Sequence, residues 1–326
     1  MTYTQTGRII KMTGGLYTVR LDGGCTDSPL TGQTVECRAR GTFRHEHVTP
    51  LVGDLVTVCY DDTSYTEENG TYTPSADRAG LVIDDILPRR NSLIRPPLAN
   101  LDVVLVVIAA ASPDPDIPTG DKLLSILEFN NIEPIIVVGK CELSPKRAGK
   151  IAALYEKVGY TAFTLSCYTG EGVKEFSRFA QTALAGKITA VAGASGAGKS
   201  TLLNTVFRGL DLTTGELSEK IGRGKNTTRL TELFDLPGTE GGYIADTAGF
   251  SLLDFERFDF FELEDLAHTF REFVPYLGKC RYTDCTHVSD EECAILEAVA
   301  KKEISPIRHA SYRELYGTLK DKKKYK

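Results

Sequence analysis

The chain predicts three folded units in succession: an all-β barrel of the OB type, an α/β unit on a parallel sheet, and a mostly helical, metal-binding unit. Three observations carry this. Short alternating strands separated by turns run from Gly7 to Ile86. From Val103 onward, apolar runs alternate with helical stretches and lead into Gly193-Ala194-Ser195-Gly196-Ala197-Gly198-Lys199-Ser200. Near the other end, Cys280, Cys285, His287 and Cys293 crowd together. The expected division is 1–95, 96–258 and 259–326.

In the first unit, Gly7–Lys11 and Leu16–Leu21 flank Thr13-Gly14-Gly15, a hairpin signal. Val35–Arg40, Asp54–Tyr60 and Gly80–Ile86 continue the series, and five short strands fit a small closed barrel. Arg38, Arg40, Arg44, His45 and His47 form a local basic cluster suited to a nucleic-acid strand. Thr63–Asp77 is polar and aperiodic and reads as a mobile loop. Pro88–Asn91 and Arg95–Pro97 read as a linker.

The second unit opens with Val103–Ile108, continuously apolar as a buried parallel strand requires. Asp121–Asn130, Ser144–Val158 and Val173–Leu184 read as helices. Pro134–Val138, Ala162–Leu165, Ile188–Ala192, Glu232–Leu236 and Tyr243–Asp246 read as strands. Strand–helix alternation implies a parallel sheet covered on both faces.

A glycine-rich turn between a strand and a helix is the setting in which G-x-x-x-x-G-K-[ST] binds phosphates. Backbone N–H groups of Gly193 through Thr201 and the helix N-terminus face the anion. Lys199 reaches the β- and γ-phosphates and the Ser200 hydroxyl ligates Mg²⁺. Asp246-Thr247-Ala248-Gly249 has the D-x-x-G form of a switch, with Asp246 holding Mg²⁺ through water and Gly249 sensing the γ-phosphate. Gly222–Arg229 is placed as a first switch, in which Thr227 or Thr228 completes the Mg²⁺ shell.

Base recognition is expected at Gly139-Lys140-Cys141-Glu142, after an apolar strand, supported by Ser166-Cys167. A carboxylate at Glu142 accepts from guanine N1 and N2 while the lysine stem packs on the ring; adenine offers no matching donor pair. Because this loop precedes the P-loop, the chain reads as a circular permutation, which a doubly wound domain with adjacent ends tolerates. The second switch then leads straight into the C-terminal unit, so nucleotide state is expected to move that unit.

Cys280, Cys285, His287 and Cys293 have the spacing C-x4-C-x-H-x5-C, and three thiolates with one imidazole suit one closed structural Zn²⁺. With barrel, permuted nucleotide domain and zinc motif together, the sequence resembles the bacterial ribosome small-subunit-dependent GTPase A (RsgA) family over nearly its whole length. That resemblance implies GTP hydrolysis to GDP with Mg²⁺, rRNA binding, late maturation of the small ribosomal subunit, activation by that subunit, and release on hydrolysis. Two loops depart from the family pattern. The base loop has Gly139 and Glu142 where threonine or asparagine and then aspartate are usual, so guanine selectivity is expected to loosen. The first switch has Asn226 where histidine is usual. Phe250 follows D-x-x-G and cannot polarise water, so slow turnover is expected, with Asn226 or an external group supplying the contact.

Hydrophobic residues at 41% and charged residues at 25% are ordinary for a globular chain. No apolar run approaches the roughly 20 residues of a membrane span, and the first residues lack a signal-peptide core, so a cytoplasmic monomer is expected. A net charge of −6 leaves nucleic-acid binding to local patches, the lysine-rich end at Lys320–Lys326 among them. Three other readings are an RNA-binding zinc module with a regulatory nucleotide site, an ATPase, and a metal-sensing switch.

Overall fold

The computed structural model of the chain describes residues 2–23, 30–45, 48–61, 64–68, 71–74, 81–93, 97–207, 210, 232–246 and 262–323. The barrel consists of β1 (Thr2–Thr13), β2 (Leu16–Leu21), β3 (Thr34–Ala39), a short α1 (Thr42–His45) and β4 (Leu55–Asp61), then, after the hairpin below, β7 (Val82–Ile86). Pairing runs β1–β2–β3–β7–β4 and closes through β4–β1, so the five strands leave no open edge among themselves. Alternate residues such as Ile9, Val19, Val56, Val58 and Ile83 fill its interior, as the two-residue period of a strand dictates.

The segment expected to be an aperiodic loop instead contains a hairpin of β5 (Tyr65–Glu68) and β6 (Thr71–Pro74). Its Tyr and Thr residues favour extended backbone, a signal that polarity masked. The expected linker is also structured. β8 (Ser92–Leu93) pairs with β9 (Leu98–Ala99), and Asn91 and Leu101 exchange two hydrogen bonds. Arg89 grips the fully buried Asp54 carboxylate through Nε and Nη2, each at 2.7 Å. The polar residues between barrel and sheet thus form a fixed joint.

The α/β unit contains β10 (Val103–Ala109), α2 (Ile117–Phe129), β11 (Glu133–Gly139), α3 (Pro145–Glu156), β12 (Thr161–Thr164), α4 (Val173–Ala183), β13 (Ile188–Gly193), α5 (Lys199–Val206), β14 (Glu232–Asp235) and β15 (Tyr243–Asp246). Helix α2 starts four residues before its expected start because Asp116 caps it, accepting from the Thr119 N–H at 3.1 Å, and Pro118 suits the first turn. Strand order is β12–β11–β10–β13–β15–β14. The sheet is parallel except for β14, which is antiparallel to β15; the expectation of a parallel sheet is corrected at this position. The short Leu236–Gly242 connection leaves no room for a crossover helix, so the two strands form a hairpin.

Beyond residue 261 come 3-10 helices at Leu263–Thr269 and Val274–Tyr276, then α6 (Ala294–Ala300) and α7 (Pro306–Lys323). Phe270, Phe273 and Tyr312 form an aromatic cluster with centroid separations of 4.8–5.4 Å. This region docks on α2 and α3. The wholly buried Arg308 pairs with the Asp121 carboxylate and holds Glu272 at 2.8 and 3.1 Å, while Tyr155 donates to Asp121 at 3.0 Å. Burial works against the Arg308 charge, but Asp121 and Glu272 outweigh it and hold the guanidinium well above its ordinary range. No described helix is long and apolar enough to cross a membrane.

Candidate nucleotide site and zinc centre

The loops after β10, β11 and β13 leave one edge of the sheet together. Val107 pairs with Gly193, and Ala109 pairs with Gly139, in parallel register. Parallel strands present their C-terminal ends on one side, which is where such sheets bind ligands. The P-loop and the proposed base loop, separated by about fifty residues, are therefore neighbours.

Gly193 has φ 145°, and a Cβ there would lie 2.2 Å from the Val107 carbonyl oxygen. Only glycine fits both the backbone angle and the approach of the neighbouring strand. Gly198 (φ 102°) is the N-cap of α5 and supplies no side chain to the exposed N–H groups at that end. Ser195, Gly196 and Thr201 are exposed, Ala194 and Ser200 half-buried, and Ala197 buried. Ser200 is the second residue of α5. Lys199 Nζ donates to the carbonyls of Gly193 and Ala194 at 2.9 Å each, and burial lowers its pKa from the usual lysine range. Its ammonium is thus folded onto the carbonyl rim of the loop.

Lys140 joins the two loops. It adopts a left-handed backbone conformation (φ 55°), and its Nζ donates to Gly196 O at 2.8 Å and to Ser112 O. The single 3-10 turn Cys141–Leu143 follows, tied to the residue just after β12 by the Cys141 N–H bond to Leu165 O at 3.3 Å. Within it, Glu142 Oε2 is buried and has no hydrogen-bond partner among the described residues. A buried acceptor without a donor costs about 1–3 kcal/mol, which a ligand carrying N–H groups offsets. Ser166 is fully buried and its Oγ accepts from the Thr169 N–H at 3.0 Å, shaping the supporting loop. Cys141 Sγ faces Glu171 Oε2 at 3.8 Å; burial, with the Glu171 and Glu142 charges, raises its pKa. Burial also raises the Cys167 pKa, and Thr205 on α5 is its hydrogen-bond neighbour.

Sequence reasoning missed Ser112, Glu171 and Thr205. Ser112 was findable: β10 lies between β11 and β13, so the loop after it had to enter the site. Glu171 and Thr205 carry no motif. The backbone of Asp246 ends β15, while Asn226, Thr227, Thr228, Gly249 and Phe250 lie outside the described residues. Within the basic cluster Arg38 is exposed and Arg40 pairs with Asp84; His47 lies outside the described residues.

The zinc motif assembles as expected. The ligand atoms of Cys280, Cys285, His287 and Cys293 lie within 4.8 Å of one another. Cys280 Sγ and Cys293 Sγ are 3.9 Å apart, and each is 3.6 Å from His287 Nδ1. A tetrahedral Zn²⁺ with Zn–S of about 2.3 Å and Zn–N of about 2.0–2.1 Å gives edges near 3.8 and 3.6 Å, so the four residues fit one zinc ion. Two bonds from α7 hold the loop: His309 Nε2–H donates to His287 O at 2.8 Å, and Tyr312 OH donates to Thr286 O at 2.8 Å. Burial first, then neighbouring thiols, push the metal-free Cys285 thiol up to about 12.

Comparison with known proteins agrees with this arrangement. The RsgA GTPase family model matches residues 86–256, and the RsgA N-terminal domain model matches residues 6–66. The protein named small ribosomal subunit biogenesis GTPase RsgA from Agathobacter rectalis is 37% identical over 323 residues, 98% of this chain and 100% of that protein. Its namesake from Caldanaerobacter subterraneus is 37% identical over 319 residues, 98% of this chain and 97% of that protein. The crystal structure of YjeQ from Thermotoga maritima superposes with TM-score 0.74 and 29% identity, over 97% of this chain and 99% of that one. The structure of YloQ, described as a circularly permuted GTPase, superposes with TM-score 0.71 and 29% identity, over 98% and 96%. The two family models together span barrel and nucleotide domain, the named relatives match nearly the whole chain, and the chain belongs to the RsgA family of GTPases, enzymes that hydrolyse GTP.

Proposed function

We propose that this GTPase acts in late maturation of the small ribosomal subunit, binding rRNA, being activated by the subunit and leaving it on hydrolysis. The observation that carries the guanine reading is the buried Glu142 Oε2, unpartnered among the described residues, in a loop that Lys140 ties to the P-loop. Its acceptor suits the N1–H and N2–H groups of guanine, and a site built around such groups rejects a base lacking them. The relatives' names supply the ribosomal setting.

In this reading the chain divides at about residues 95 and 258 into barrel, GTPase and zinc units, and works as a cytoplasmic monomer. Lys199 neutralises the β- and γ-phosphates, Ser200 and Asp246 hold Mg²⁺, and Thr227 or Thr228 completes its shell. Gly249 senses the γ-phosphate. With Phe250 after D-x-x-G, the water is oriented by Asn226 or by a group from the subunit.

The decisive experiment measures GTP hydrolysis with and without small subunits, with ATP as control. Stimulation specific to GTP is expected. An unchanged rate on adding subunits sinks the activation reading, and equal use of ATP sinks the guanine reading.

A further inference from the structure

Strand β1 hands its outer edge from the barrel to the GTPase. Residues Thr2–Arg8 pair with β4, Ile9 exchanges backbone bonds with Asp54 (2.9 Å) and Gly53 (2.8 Å), and Lys11 pairs with Glu232, the first residue of β14. The register of β1 against β2 shifts between Ile9 and Lys11, a bulge of the kind that re-aims the residues after it. Glu232 in turn pairs with Asp246. Lys11, Glu232 and Asp246 therefore form one row across three adjacent strands, from the barrel to the residue assigned to Mg²⁺.

Side chains reinforce both ends of the β14–β15 hairpin. At one end Lys11 Nζ meets Glu232 Oε2 at 2.8 Å. At the other, Arg20 forms a two-pronged contact with Asp235, and Arg20 and Arg8 lie over the Tyr243 ring at 5.4 and 5.9 Å. In sequence this hairpin connects the Gly222–Arg229 loop to D-x-x-G. A barrel gripping the hairpin at two points shifts it as a body, and one end of that body is Asp246. Lys11 and Glu232 are 38% and 29% exposed, so their ion pair adds little to stability. Its position gives it a different consequence.

We infer that Lys11 and Glu232 are positioning residues that transmit engagement of the barrel by RNA to the Mg²⁺ side of the nucleotide site. This rests on the subunit-activated reading above and names the route of activation. Neither residue touches nucleotide; they act through the backbone row to Asp246.

The test uses the full-length chain with Lys11→Glu, Glu232→Lys and the double exchange. GTP hydrolysis is measured against small-subunit concentration, giving the ratio of saturated to subunit-free rate and, separately, the half-saturating concentration. Each single change is expected to lower the ratio roughly fivefold at unchanged half-saturation, and the double exchange to restore it. Single changes that leave the ratio intact overturn the inference. So does a loss confined to half-saturation, which makes Lys11 a plain RNA contact, and so does a double exchange that fails to recover. If subunits do not stimulate the parent chain, the activation reading itself falls and the inference with it.

Discussion

Arg308 on α7 and Asp121 on α2 form an ion pair whose side chains are 1% and 0% exposed, at the junction of the zinc region with the GTPase. Glu272 accepts further bonds from Arg308 and Tyr155 donates to Asp121 Oδ1, while Asp121 Oδ2 has no hydrogen-bond partner among the described residues and burial raises the Asp121 pKa. Arg308→Ala leaves Asp121 and Glu272 buried without their cation and should cost about 3–5 kcal/mol. Thermal unfolding of the nucleotide-free chain reads this out. A change below about 1 kcal/mol, the range of exposed pairs, contradicts the assignment.

Lys199→Ala should remove nucleotide turnover by more than a hundredfold, as the charge that meets the β- and γ-phosphates is lost. Because Lys199 bonds only loop carbonyls among the described residues, the melting temperature without nucleotide should change little. Turnover that persists, or loss of fold in circular dichroism, excludes this role.

Glu142→Ala should weaken GDP binding by about 1–3 kcal/mol and narrow the preference over ADP, measured by competition against labelled GDP. A Cβ at Gly139 would sit 3.6 Å from Ala197 O, ordinary contact distance, so Gly139→Asn should fold normally and restore the side chain the family pattern carries. The expected result is tighter GDP binding and stronger rejection of ADP. An unchanged preference in both variants shows that base choice is made elsewhere.

Cys285→Ser should release the zinc ion, since three remaining ligands cannot close a tetrahedral structural site. Protein-bound zinc by atomic emission should fall from one equivalent towards none. The α7 helix should stay docked, as Arg308 and Arg271 anchor this region independently of the metal: Arg271 forms ion pairs with Glu128 at 2.7 Å and Glu133 at 3.1 Å. Full zinc retention, or undocking of α7 seen in hydrogen exchange on α2, would falsify this division of labour.

Much of this protein was written locally. The P-loop, the zinc spacing and the strand order that marks permutation are short-range patterns whose chemistry needs fixed residues at fixed separations, so sequence alone determined them. The closed five-stranded barrel follows similarly from alternating strands and turns. Sequence failed where polar residues turned out to be partners. In the apparent linker, Arg89 is held on Asp54 and Asn91 on Leu101, and the apparent loop after Thr63 contains a hairpin. Composition shows that a residue is polar, not whether another polar group awaits it.

The tertiary structure alone decided three relationships: Lys140 with Gly196, Arg308 with Asp121, and the row from Lys11 through Glu232 to Asp246. Each joins positions far apart in the chain. Their pairing depends on strand register and helix packing, which are set by burial of the whole core rather than by any local run of residues. The sequence thus determined what chemistry the chain carries, and the fold decided which parts of it act on one another.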